Sequence, residues 1–242
     1  VLRTYSEYGN RSIKKKLDKK LKVKNRKIIE EHLKKRINSE KDFFSFYTNN
    51  FKDNSNNLIC KSGFISTNKC FDQIKEMKPD LILVFGASIL KGKIIKKFKG
   101  KIINIHLGLS PYYRGAGTNY FPIINEEPEF IGASFMFLDE GIDTGEIFHQ
   151  IQAKIYTGDT FHQLCNRLIL DCFEISKKLI LNFNKIKRKR QIKSIQKHHF
   201  YKKNDFTSAS LKKLNLKLMG KKFIKYLKKP KKIKLIKQAW IN

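Results

Sequence analysis

The chain has 242 residues, 40% of them hydrophobic and 12% aromatic, enough for one substantial domain or for a domain of about 150–180 residues with a tail. That composition excludes a disordered or collagen-like chain, and no uncharged apolar run reaches the ~18 residues needed to span a bilayer. The 52 basic and 21 acidic residues leave a net charge of +31, but only 8 of the basic residues are arginines, the side chain that reads phosphate and guanine in bidentate fashion.

The first 57 residues are charged and patchily periodic. Helix character is confined to Asn25–Ile37, and Thr48–Asn57 reads as a loop. No signal-peptide segment opens the chain, so a cytoplasmic location is expected, and because the first residue is Val1 an upstream segment is expected too. Asn68–Lys78 is an amphipathic helix ended by Pro79. Residues 80–86 (DLILVFG) form an apolar run bounded by Pro and Gly, the pattern of a strand buried on both faces. A helix over Ser88–Phe98, then Gly100 and a strand over Lys101–His106, complete a βαβ unit and imply a parallel sheet.

A Gly-, Pro- and Tyr-rich loop follows over Leu107–Thr118, then a short helix near Tyr120–Asn125. Strands are expected over Ile131–Asp139 and Glu146–Ile155, joined by a turn at Glu140–Thr144. Gly158-Asp159-Thr160 starts a helix with Asp159 as N-cap, and Phe161, Leu164, Cys165, Leu168, Ile169, Cys172 and Phe173 form its apolar face. The four cysteines, Cys60, Cys70, Cys165 and Cys172, form no C-x-x-C pair, and the last two read as core thiols rather than metal ligands. We expect a domain over 1–183 and a basic extension over 184–242 with a helix at Ser208–Leu227.

Charge is distributed unevenly. Residues 101–150 carry a net charge of −5 and the remainder carries +36, so the expected picture is a mildly acidic centre inside a Lys-rich shell. That shell reads as solvated surface; a polyanion-binding face would instead need the lysines gathered with Phe200, Tyr201, Phe223 and Tyr226 in one stripe.

Residues i and i+2 of a strand share a face, so Asn104 and His106 project together from the C-terminal end of their strand, where open α/β sheets bind ligands. Asp143 lies between Gly141 and Gly145 on a turn that can reach the same edge. A carboxylate beside an imidazole favours the charged ring and fixes its tautomer. Asp139 and Glu140 read as solvated turn residues, and Arg114, the single Arg of the central loops, is the candidate for an acceptor phosphate or carboxylate.

These residues lie in ordered motifs: N-I-H at 104–106, S-P-Y-Y-R-G at 110–115, G-A-S at 132–134 and I-D-T-G-E-I at 142–147, followed by Gln150. In that combination the chain resembles the folate-dependent formyltransferases, over about residues 78–183. The resemblance implies an α/β fold with a Rossmann-like, mostly parallel sheet flanked by helices, and formyl transfer from 10-formyltetrahydrofolate to a primary amine without a metal. It places Asn104, His106 and Asp143 at catalytic positions. It assigns the folate to Gly86, Ala87, Ser88, Ile89 and Leu90 together with Glu140, Gly141 and Ile142, and a small amine acceptor to Gly108, Ser110 and Arg114. It also implies a cis Ser110–Pro111 bond. Gly108 stands where relatives commonly have Ser, and the family's opening strand with its Gly-rich turn is not visible. Glycinamide ribonucleotide or a nucleotide-linked amino sugar is the expected acceptor. A tRNA ranks lower, because only a short Lys-rich stretch follows Phe183. Formyl release to water by the same residues, and nucleic-acid binding on a degenerate formyltransferase fold, are the competing readings.

Overall fold

The computed structural model describes residues 3–8, 23–191 and 198–241; Val1 lies outside them. Strand β1 (Arg3–Tyr8) pairs in parallel with β2 (Asn56–Lys61), so a strand stands near the start of the chain where the sequence pattern showed none. The physical reason is that this pair carries few buried apolar side chains. Thr4 and Ser6 hydroxyls both donate to Asn57 Oδ1 at 2.9 and 3.1 Å, and such polar cross-strand bonds leave no hydrophobic period to read. Between the two strands, α1 (Val23–Asn50) runs well past the expected Ile37. No Gly or Pro interrupts it, and the Arg36–Glu40 pair at 2.7 Å supports the i,i+4 face.

Helix α2 (Asn68–Met77) lies as expected, with Thr67 as N-cap and Lys78 in the left-handed region as C-cap. It packs Cys70 and Ile74 into a small core with Leu90, Ile94, Ile95, Phe98 and Ile102. Strands β3 (Ile82–Phe85) and β4 (Ile102–His106) pair in parallel. The connection between them is mostly irregular, because Gly92 at φ 68 delays α3 to Lys93–Lys97. The expectation that β3 is buried on both faces also needs correction: Leu83 is 42% and Phe85 36% exposed.

The short strand β5 (Tyr113–Gly115) and helix α4 (Phe121–Ile124) follow. Then β6 (Gly132–Phe137) and β7 (Ile147–Gln152) form a hairpin, giving a mixed four-stranded sheet in the order β3-β4-β6-β7. Only its β3–β4 step is parallel; a short turn between β6 and β7 compels an antiparallel pair, and β6 also runs antiparallel to β4.

Helix α5 (Phe161–Leu181) buries Leu164, Leu168, Cys172 and Leu179 in the main core with Ile103, Ile105, Phe135, Phe137 and Phe148. Phe173, expected on the apolar face, is 40% exposed. The N-cap is Thr160, which forms a capping box with Gln163. Asp159 is drawn away by Arg167, whose guanidinium donates to both carboxylate oxygens at 2.6 and 2.8 Å. Cys60, Cys70 and Cys172 are buried thiols and Cys165 is half-buried; burial pushes the Cys165 thiol up to about 12, which makes it an inert packing group.

The C-terminal residues pack onto this body. Strand β8 (His199–Tyr201) pairs in parallel with β5, and the Tyr201 ring stacks on Phe121 with centroids 3.6 Å apart. The single helix expected over 208–227 is two, α6 (Ser208–Leu218) and α7 (Lys221–Lys228), separated at Gly220. Phe223 is buried in the main core, so the aromatic stripe that a polyanion surface would require is broken. Lys217 and Lys222 reach Glu126 at 3.1 and 3.6 Å and Lys231 reaches Glu129 at 2.8 Å. Part of the basic extension thus answers the acidic centre, at the modest energies of exposed pairs. No helix among the described residues is long and apolar enough to cross a membrane.

Candidate active site

Asn104 and His106 leave β4 on one face, opposite Met136 and Ser134 of β6. The turn after β6 brings Asp143 to them. Asp139 Oδ1 accepts from the Gly141 N–H at 3.0 Å and the Thr144 hydroxyl at 2.7 Å, closing the turn from within. Asp143 itself sits at φ 54, a left-handed geometry uncommon outside Gly, though Asp enters it more readily than most residues.

The three side chains converge. His106 Nδ1 lies 3.3 Å from Asp143 Oδ1, and the Asn104 amide donates to the same oxygen at 3.4 Å. The other carboxylate oxygen accepts the Gly115 N–H at 2.9 Å. On its far side, His106 Nε2 lies 3.2 Å from the Tyr113 carbonyl oxygen. Both ring nitrogens therefore face acceptors. A neutral imidazole serves only one of them, whereas the imidazolium donates to both. The imidazole and the carboxylate are almost sealed, with side chains 8% and 11% exposed, so their attraction is weakly screened.

Two motif residues hold the loop around this centre. Ser134 Oγ donates to the Gly108 carbonyl at 2.7 Å and accepts the Ser110 N–H at 3.0 Å. Gln150 Nε2 donates to the Ser110 carbonyl at 2.7 Å. The Ser110–Pro111 bond is cis. Gly108 has a specific reason to lack a side chain: a Cβ there would lie 2.6 Å from His106 Nε2 and 2.5 Å from Thr118 Cβ. The Thr118 hydroxyl, which donates to the Leu107 carbonyl, occupies the space beside it.

The other expected site residues divide by exposure. Gly86, Ala87, Glu140, Gly141 and Ile142 are exposed and Ser88 is half-buried. Ile89 and Ile142 are 57% and 41% exposed, apolar side chains left open at the ends of two loops. The Leu90 side chain is a core residue of the α2–α3 cluster, so that it holds the loop from behind and leaves only its backbone to the folate assignment. Ser110 is only 1% exposed and bonded through its backbone, so it shapes the loop rather than lining a wall that an acceptor would meet. Gly108 is likewise buried and acts through the room it leaves. Arg114 is partly exposed on β5, with its Nε buried and without a hydrogen-bond partner.

Tyr113 and Gly115, whose backbone carbonyl and N–H complete the surroundings of His106 and Asp143, belong to the motif at 110–115 but were given no contact with either residue from sequence. The Tyr113 phenol is fully buried, donates to Glu127 at 2.6 Å and accepts from Asn125 at 2.9 Å. Burial and then the Glu127 bond raise its pKa far above the ordinary value, so it remains a neutral donor. Among the described residues no group of three or more His, Cys, Asp or Glu side chains is arranged to hold a metal ion.

Gly145 is the most constrained point of the turn. A Cβ there would stand 1.7 Å from the Phe137 carbonyl oxygen, and backbone cannot yield as a flexible side chain can. Gly145→Ala is expected to destabilise by about 1–3 kcal/mol and lower the thermal midpoint by roughly 2–12 °C. An unchanged midpoint in calorimetry would show that the turn has slack.

The family model described as formyl transferase matches residues 5–171. A methionyl-tRNA formyltransferase of Finegoldia magna is 29% identical over 122 residues, covering 50% of this chain and 39% of that protein. One from Clostridioides difficile is 41% identical over 86 residues, covering 35% and 27%. The chain thus spans less than half the length of these curated relatives. Among solved structures, a sugar N-formyltransferase from Shewanella sp. superposes with a TM-score of 0.51 at 19% identity, covering 70% of this chain and 73% of that one, a likeness of fold.

Proposed function

The chain belongs to the formyl transferase family, and from that premise we propose that it transfers a formyl group from 10-formyltetrahydrofolate to a primary amine. The observation that carries the reading is the convergence of Asn104, His106 and Asp143, with imidazole and carboxylate 3.3 Å apart at the C-terminal end of β4. Attack of an amine on a formyl carbon develops negative charge on the formyl oxygen. The second N–H of the Asn104 amide, and the His106 Nε2–H once it exchanges the Tyr113 carbonyl for the substrate, are the donors that would stabilise it. Asp143 holds the proton on His106 Nδ1 and orients the ring, and it would help pass the proton lost by the amine, through water, to the folate nitrogen as the bond between that nitrogen and the formyl carbon breaks.

The donor supplies an activated formyl group. We assign its ring system to the loops that carry the exposed apolar side chains Ile89 and Ile142, with Gly86 at φ 59 and no atom within 4 Å of the position a Cβ would take there. Gly86, Ala87, Ser88, Glu140 and Gly141 offer backbone groups along the same edge, with Leu90 packing beneath. Arg114 is the group we assign to an anionic part of the acceptor.

Within this reading the acceptor is a glycinamide nucleotide, a nucleotide-linked amino sugar or methionyl-tRNA. The last is favoured over the sequence expectation by the names of the curated relatives. The test is formyl turnover with 10-formyltetrahydrofolate against those three acceptors, with a water-only control. One acceptor should support turnover above the control by an order of magnitude or more. Formate release equal in all four reactions would replace transfer by hydrolysis. Salt-sensitive RNA binding without any turnover would replace it by the binding-protein reading.

A further inference from the structure

Beyond residue 171 the chain returns to the candidate site from two sides. Lys189 and Ile147 exchange backbone hydrogen bonds at 2.8 and 2.9 Å, an antiparallel bridge that lays the following residues along the Asp143 turn. Upstream, the buried Gln238 side chain accepts from the Lys187 N–H at 3.0 Å and donates to the Lys187 and Phe148 carbonyls, each at 2.7 Å. The segment is therefore pinned before it reaches Gln191. There the Gln191 amide donates to the backbone carbonyls of Asp143 at 2.8 Å and Gly145 at 2.9 Å. On the other side, the Ala116 N–H donates to the Tyr201 carbonyl at 2.8 Å and the His199 N–H to the Tyr112 carbonyl at 2.7 Å. These bonds fix β5, which supplies Gly115 to Asp143 and Tyr113 to His106.

Gln191 grips the turn at two carbonyls. One –NH2 group ties together the carbonyls of residues 143 and 145, with Thr144 and Gly145 between them, and so holds in place the carbonyl that Asp143's left-handed backbone presents. Without that tie the local reason to keep Asp143 at φ 54 weakens, and relaxation would swing its carboxylate away from His106 and Gly115. We infer that Gln191 is a positioning residue for Asp143, so that the geometry of the catalytic pair depends on a residue C-terminal to the family-matched segment. The inference rests on the reading of Asp143 and His106 as the catalytic pair.

A double-mutant cycle combined with amide exchange tests it. Gln191→Leu should lower kcat for formyl transfer from 10-formyltetrahydrofolate by about tenfold, the scale of one net hydrogen bond, with KM for the donor changed less than about twofold. Gln191→Glu, nearly isosteric but unable to donate, should lose as much. In an Asp143→Asn background, Gln191→Leu should cost less than about twofold, because residues acting through one group are not additive. Independently of turnover, exchange of the Gly115 amide should accelerate about tenfold in both Gln191 variants, while the Ile103 and Ile105 amides of β4 stay protected. Equal losses in the two backgrounds, or a Gly115 amide as protected as in the unaltered chain, would overturn the inference. Unchanged kcat in Asp143→Asn alone would instead remove the catalytic reading, and the exchange measurement would still decide whether Gln191 positions Asp143.

Discussion

His106→Ala is expected to lower formyl turnover by about two to four orders of magnitude, with the secondary structure and thermal midpoint nearly retained. The size follows from the role proposed for the ring: it would donate to the oxygen on which charge develops, and it would carry a proton whose position Asp143 sets. Removing an oxyanion donor costs about 10²–10³ in kcat and removing a general acid–base group about 10²–10⁴. The side chain is 8% exposed and touches the Asp143 carboxylate and the Tyr113 carbonyl rather than the apolar core. Gly115 still satisfies Asp143 Oδ2 at 2.9 Å after its loss, so the turn keeps an anchor. Following donor consumption by absorbance, alongside circular dichroism of the same sample, separates the two effects. Turnover within a factor of about three of the unaltered chain would show that the ring is a packing residue at a strand end.

Much of this centre was legible because strand and turn chemistry are local. The period of two placed Asn104 and His106 on one face of an otherwise apolar strand, and the glycines flanking Asp143 marked a turn able to hold it, so three residues 39 apart at most could be expected at one edge. The Tyr113 carbonyl and the Gly115 N–H were not legible, because backbone groups leave no signature in residue type. Gln191 was hidden for a different reason. It lies in a Lys- and Arg-rich stretch without periodicity, and its partners are carbonyls 46 and 48 residues earlier. The fold shows the same division. Helix α2 and the strands β4, β6 and β7 followed their patterns, whereas β1 and β2 are held by hydroxyl and amide bonds that binary patterning cannot see. Helix α3 lost its first turns to a left-handed Gly92, and the Asp159 cap gave way to an ion pair with Arg167 that depends on the helix already being formed.

Acidification from pH 7 to pH 5.5 is expected to destabilise the folded chain by about 3–4 kcal/mol through three histidines, His149 and His162 buried and His32 half-buried. His32, His149 and His162 are each held down to about 4, foremost by burial. The next cause is a neighbouring cation or imidazole: His162 beside His32, Arg36 beside His162, and Lys237 beside His149. His32 and His162 face each other across α1 and α5 with ring centroids 4.5 Å apart, so charging one raises the cost of charging the other. His149 Nδ1 accepts the Gln238 N–H at 3.3 Å and would lose that bond on protonation. In the unfolded chain the same rings titrate near 6.5. Between about 6.5 and 4 the unfolded state therefore binds protons that the folded state refuses, and stability falls as pH drops through that window. At pH 5.5 the penalty is about 1 kcal/mol for each ring, and the three together are large against a typical total of about 5–15 kcal/mol. Urea midpoints measured at pH 7 and pH 5.5 should differ accordingly. His32→Phe, which places an apolar ring among Phe161, Phe206 and His162, should flatten the dependence by removing one titrating group and the imidazole opposite His162. Identical midpoints at the two pH values would mean that the α1–α5 and β7 histidines exchange protons with solvent in the folded state as freely as in the unfolded one.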